Sequence, residues 1–222
     1  MERGRLIAAM VAPTVLVAGA MFGLDDLRVA FMGYVVGGCL LVPRLLLGAR
    51  PGARGGLPFR AEGEHAASPL VALFVFGPLF LLAYWFLRQF ITAPEPYLEA
   101  LRTLGWNDDH RYLYFTIFVA TVPLAEEWWW RGQALPRAER LFGEPIGRLL
   151  VAVAFAAYHA PVLLRLYPLG PASIRFTGIL AAGLFWTWWA ARRRSWGWVW
   201  WAHLAADTVI VIAFILWVQP QA

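Results

Sequence analysis

Apolar stretches approaching bilayer-crossing length follow one another through the sequence, leaving room for little but a bundle of membrane-spanning helices. About 20 predominantly apolar residues cross the ~30 Å hydrocarbon core as a helix. No water is available there to satisfy backbone N–H and C=O groups, so a spanning segment pairs them internally. Seven such stretches are read, at about 6–24, 29–47, 69–91, 112–130, 149–166, 176–191 and 196–218. The second is expected to bend near Pro43. The 222 residues are 60% hydrophobic, well above the roughly half expected of a water-soluble domain. The expectation is an all-α, polytopic transmembrane helix bundle forming a single membrane domain over residues 1–222. The first stretch is basic and then apolar, like a signal peptide. With no small-residue cleavage site before a soluble domain, and more spans following, it is read as the first spanning helix.

Arginine placement orients the bundle. All 19 basic residues are Arg. Arg3 and Arg5, then Arg44, Arg50, Arg54 and Arg60, then Arg131, Arg137, Arg140 and Arg148, then Arg192, Arg193 and Arg194 fall on alternate connections. The remaining connections mix Arg28, Arg88, Arg102, Arg111, Arg165 and Arg175 with Asp25, Asp26, Glu95, Glu99, Asp108 and Asp109. Positive residues concentrate in the cytoplasm, so about seven spans with the N-terminus in and the C-terminus out are expected. A net charge of +5 sited at segment ends suits a lipid bilayer and suggests no nucleic-acid partner. The single Cys39 gives no disulfide framework and no Cys-based metal site. Trp128–Trp130 and Trp196, Trp198, Trp200 and Trp201 sit at span ends, as in an interfacial aromatic belt; a grip on substrate is the other reading. A polar connection is expected over 92–111, and a short interfacial helix over 134–142 within the basic connection 131–148.

Ionisable residues inside the spans are the functional candidates, because such groups are costly at membrane depth. Glu126 and Glu127 close the fourth span. Glu127 precedes Arg131 by four residues, the favourable order for a helical ion pair. Glu126 then lies about 100° round the helix, free of that partner and open to acid–base work. In the fifth span Phe155 and His159 share a face, and Pro161 should kink the helix beside them. In the seventh span His203 and Asp207 share a face. By the topology above, Glu126, His159 and His203 fall within the inner half of the bilayer, so one cavity open to the cytoplasm could gather them. A lone intramembrane His is often an interhelical hydrogen-bonding group, and Glu127–Arg131 could be a topology anchor only. The set taken together points to acid–base chemistry. A transporter would spread such residues along a path and shows paired half-repeats, which this sequence lacks. His65 and His110 fall in polar loops and are read as solvated.

The trio Glu-Glu-x-x-x-Arg, Phe-x-x-x-His and His-x-x-x-Asn/Asp on successive helices resembles the motif set of the CPBP family. These are intramembrane proteases related to the CAAX prenyl endopeptidases, also called the ABI family. Here the motifs read Glu126–Arg131, Phe155–His159 and His203–Asp207. The resemblance covers about 112–218, the implied protease core; the three spans within 1–111 carry no signature. Asp207 stands where the prenyl endopeptidases have Asn, as in many bacterial members, which weakens any claim of a prenylated substrate. The resemblance implies an intramembrane endopeptidase, in the inner (plasma) membrane of a bacterium, acting on a membrane-associated protein or peptide. C-terminal processing or sorting-signal cleavage are candidate reactions. It also implies Glu126 as general base helped by His159, His203 and Asp207 around the oxyanion or water, and Glu127, Arg131 and Phe155 as structural support. The family has been described both as glutamate-type proteases and as metalloproteases. Two His and a carboxylate also make a zinc set: His159 and His203, with Glu126 or Asp207 as third ligand. Nothing resembles the His-Glu-x-x-His helix of zincins, and the mechanism without a cofactor is favoured. The alternative to an enzyme is a non-enzymatic membrane scaffold or a bacteriocin self-immunity factor.

Overall fold

The computed structural model describes residues 1–49, 72–91, 94–106 and 111–218. The described residues are helical, with short connections and no strand. In chain order the helices are α1 (Glu2–Leu24), α2 (Leu27–Leu47), α3 (72–91), α4 (Pro94–Thr103), α5 (Arg111–Glu127), α6 (Leu135–Phe142), α7 (Glu144–Leu166), α8 (Leu169–Arg193) and α9 (Gly197–Leu216). Among these, α1, α2, α7, α8 and α9 are long and apolar enough to cross a membrane. At 23 residues and ~1.5 Å per residue, α1 and α7 each reach about 35 Å. The segments expected as the third and fourth spans are helical as α3 and α5. The all-α polytopic bundle expected from the apolar pattern is the fold. His65, in the connection between the second and third expected spans, and His110 lie outside the described residues.

Local chemistry sets the joints. Asp25 in the left-handed region closes α1, and Asp26 opens α2 by accepting from the Arg28 and Val29 backbone N–H groups at 2.8 and 3.2 Å. Gly143 turns α6 into α7 at φ 83°, ψ 155°, a conformation open in practice only to glycine. Four residues on, Gly147 lets the two helices touch: a Cβ there would sit 2.5 Å from backbone atoms of Ala138 and Glu139. Pro161 has no N–H to offer the carbonyl of Ala157, and α7 is interrupted at Tyr158.

The core lies where α1, α2, α5, α7, α8 and α9 meet, around Met10, Met21, Tyr34, Trp129, Trp130, Phe155 and Trp186. A smaller cluster joins α4 to the end of α9 through Leu98, Leu101 and Phe214. Large apolar side chains such as Val15, Leu45, Phe86, Leu169 and Leu216 point outward, as a lipid-facing surface requires.

Two expectations are corrected. The basic connection expected from Arg131 does not begin at the surface: Trp128–Ala134 continues the helix in wider i→i+5 turns and runs directly into α6, and all of it except the half-buried Trp128 is buried. Trp129, Trp130 and Trp196 accordingly sit in the interior and not in an interfacial belt. The reason is packing: two fully buried indoles fill the volume between α5, α2 and α7, and Trp130 Nε1 donates to the Tyr34 hydroxyl at 3.1 Å. The stretch 92–111 is likewise not simply polar, since it contains α4 with Leu98 and Leu101 buried.

Candidate active site

α5, α7 and α9 bring the three sequence motifs together. Glu127 Oε1 accepts from Arg131 Nη1 at 2.8 Å, the ion pair expected from the four-residue spacing. The same oxygen accepts from His203 Nδ1 at 2.8 Å. A carboxylate oxygen can only accept there, so His203 carries a proton on Nδ1 and turns Nε2 towards the remaining groups. That nitrogen lies 3.5 Å from Glu126 Oε2 and 3.7 Å from Asp207 Oδ1. Both distances exceed a good hydrogen bond and leave a gap between two carboxyl groups and one imidazole.

The second motif supplies support from α7. Phe155 puts its ring 4.2 Å from the Arg131 guanidinium carbon, a cation–π contact that adds a second hold on the arginine. Arg131 Nη2 also donates to the Gly183 carbonyl of α8 at 3.4 Å. His159 Nδ1 donates to the Phe155 carbonyl at 3.0 Å, and its Nε2 lies 2.9 Å from the Tyr158 hydroxyl. Tyr158 hydrogen-bonds Glu126 Oε1 with the same hydroxyl. Glu126 and His159 therefore communicate through a residue between them.

Sequence reasoning missed three side chains. Tyr158 follows Ala157 at the interruption caused by Pro161, which lays its ring beside His159 at 3.9 Å; regular helical spacing would have sent adjacent residues to different faces. Trp186 of α8 stacks on His203 at 4.5 Å. Tyr34 of α2 stacks on Tyr158 at 3.9 Å, which brings the unsigned N-terminal half into the site. The signals available were Tyr158 next to a motif histidine and Pro161 after it; nothing in the pattern of α2 marked Tyr34.

The site is closed. Glu126 is 1% exposed, and Glu127, Arg131, His203 and Asp207 are buried with it. Among the described residues, Glu126 Oε2, Glu127 Oε2, Asp207 Oδ2 and Arg131 Nε have no hydrogen-bond partner within the chain. Buried polar atoms are normally satisfied, so the open Glu126 Oε2 beside His203 Nε2, with the Asp207 carboxyl group next to them, makes a place for a water or a polar substrate atom. For the zinc set of His159, His203 and a carboxylate, His159 Nδ1 donates to the Phe155 carbonyl, which leaves Nε2 as the nitrogen that could ligate, and the Tyr158 hydroxyl lies 2.9 Å from it. No group of three His, Cys, Asp or Glu among the described residues has metal-binding spacing.

No curated protein and no solved structure matches the chain. One family model does, described as type II CAAX prenyl endopeptidase Rce1-like, over residues 108–209. That span contains all three motifs, and it is the same kinship that their order and spacing suggest. Over residues 108–209, a little under half of its length, the chain is similar to the type II CAAX prenyl endopeptidase Rce1-like family.

Proposed function

We propose that the chain is an intramembrane endopeptidase that hydrolyses a peptide bond near the end of a membrane-associated protein or peptide. The observation that carries this reading is two carboxyl groups facing one imidazole nitrogen, with Glu126 Oε2 at 3.5 Å and Asp207 Oδ1 at 3.7 Å from His203 Nε2. Glu126 takes a proton from a water held in that gap, and the hydroxide attacks the scissile carbonyl carbon. His203, in its imidazolium form and oriented by its Nδ1–H bond to Glu127, presents an Nε2–H to the developing oxyanion, and Asp207 in its neutral form adds a second donor. The proton on Glu126 then passes to the leaving amine as the C–N bond breaks. Arg131 neutralises Glu127 and keeps that carboxylate from competing with Glu126 for the role of base. Substrate enters from the cytoplasmic end of the bundle, where the basic connections are read to lie.

The test compares wild type with Glu126→Gln, reconstituted in lipid, on membrane peptides bearing C-terminal tails, each with and without a strong chelator. A loss of about 10²–10⁴-fold in the variant, with wild-type cleavage surviving the chelator, is the expected result. Cleavage lost to the chelator and restored by zinc overturns the metal-free mechanism. Equal performance of wild type and variant in the host process overturns the enzyme and leaves a scaffold or immunity factor.

A further inference from the structure

The hydrogen bonds along Glu126, Tyr158 and His159 contain one proton fewer than they can hold. His159 must donate from Nδ1, because its partner there is the Phe155 carbonyl, which only accepts. A neutral His159 therefore presents a lone pair on Nε2, 2.9 Å from the Tyr158 oxygen. On its other side the Tyr158 oxygen meets Glu126 Oε1. The two contacts need two hydrogens, and the tyrosine hydroxyl supplies one. With Glu126 ionised, one of the two contacts faces oxygen to oxygen, or oxygen to nitrogen, with no hydrogen between. Adding one proton completes both: Glu126 O–H to Tyr158 O, and Tyr158 O–H to His159 Nε2. Shifting both hydrogens along the chain gives the equivalent arrangement with Glu126 ionised and His159 cationic.

We propose that Tyr158 is a positioning residue that joins Glu126 and His159 into a single store for the proton taken from the attacking water. This rests on the reading of Glu126 as general base. The step balances. A water O–H bond breaks and a Glu126 O–H bond forms. The proton is shared along the chain while the tetrahedral adduct stands. It leaves through Glu126 to the amine nitrogen, and no other reactant is consumed. The surroundings suit a fixed relay. The Tyr158 ring stacks on Tyr34 at 3.9 Å, and the Trp130 plane lies nearly parallel to it with centroids 6.4 Å apart. The other ionisable groups around the chain are Tyr34 and Cys39 from α2, Glu127 and Arg131 from the α5 side, and His203 and Asp207 from α9. Of these, the Tyr34 hydroxyl also hydrogen-bonds the Tyr158 hydroxyl, a third contact that places no hydrogen between Tyr158 and either Glu126 or His159.

Tyr158→Phe keeps the ring in its stack and removes only the bridge. Expected for that variant is a kcat lowered by about 10- to 100-fold with KM unchanged. The second readout needs no substrate. In acidified membranes the infrared carbonyl stretch of protonated Glu126, identified by its loss in Glu126→Gln, should move when His159→Gln is introduced. In the Tyr158→Phe background the same His159→Gln change should leave it in place. Movement of equal size in both backgrounds, or none in either, overturns the relay, as does an unchanged kcat in Tyr158→Phe. A Glu126→Gln enzyme without activity, beside an active Tyr158→Phe with no spectral coupling, would sink the relay and keep the protease. Spectral coupling in a protein that cleaves nothing would keep the bridge and sink the protease.

Discussion

At Glu127 one carboxylate oxygen serves two partners, and the consequences of removing it differ for each. Arg131 is fully buried and has no other anion among the described groups that contact it. Taking away one member of a buried ion pair leaves the other desolvated and uncompensated, at a cost of about 3–5 kcal/mol. Glu127→Ala should therefore unfold at markedly lower temperature in detergent. Glu127→Gln combined with Arg131→Met removes both charges and should lose less. A double variant as unstable as the single one would mean that His203, and not the arginine, is what Glu127 chiefly holds. The opposite regime is found at Asp26, in the connection between α1 and α2. Its hydrogen bond to the Arg28 guanidinium, aided by the backbone N–H groups it caps, holds its pKa down from the usual value to about 2. A folded-state value below the unfolded one means stability present above about pH 4 and lost as pH falls towards 2. Asp26→Ala should be less stable than wild type by about 0.5–2 kcal/mol at pH 6, and melting curves should converge between pH 4 and pH 2.

At the scale of elements, the α6–α7 hairpin sets the level of the site, because α5 runs through its wide turns into α6 without a break. The hairpin closes on the contact at Gly147 and on Arg148, whose Nε donates to Glu139 Oε1 at 2.6 Å. The two contacts are unequal. Gly147→Ala places a Cβ against backbone that cannot move aside, so a loss of about 1–3 kcal/mol is expected, with faster proteolysis at Gly143. Arg148→Ala touches a partly exposed pair and should change stability by less than about 1 kcal/mol. Equal effects would show that charge rather than close approach holds the hairpin. The four-residue spacings were legible in the sequence here: His203–Asp207 meets within a regular helix, and Glu127–Arg131 and Phe155–His159 stay on one face although the first pair runs into wide turns and the second crosses the interruption at Tyr158. What was not legible arises where regularity fails. The wide turns after Glu127 bury Arg131 and two tryptophans that read as a membrane boundary. The interruption before Pro161 aims Tyr158 at Glu126. A periodicity of 3.6 anticipates neither.

For the molecule as a whole, the side-chain contacts sort the helix ends into two groups. At one end Glu2 pairs with Arg140, Arg3 Nε donates to the Leu141 carbonyl at 3.1 Å, and a cavity of about 490 Å³ joins Arg5 and Arg137 to Leu45–Leu47. At the other, Asp25 pairs with Arg165, the Leu27 N–H donates to the Leu104 carbonyl at 3.0 Å, and Tyr97 stacks on Tyr167 at 5.2 Å. These groups are the same connections that arginine counting assigned to opposite sides, so alternation was readable from charge. The excess of arginine at the first end argues that it lies inside. In a Cys39→Ser background, single cysteines at Thr103 and Gly170 should react with a membrane-impermeant thiol reagent on intact cells. Cysteines at Glu144 and Arg192 should react only after lysis. The reverse pattern would invert the bundle and move substrate entry to the outer face. Labelling of Glu144→Cys and Gly170→Cys from the same side would mean that α7 does not cross the membrane. The two ends would then not be opposite faces of a bilayer, and Glu126 would not stand at membrane depth.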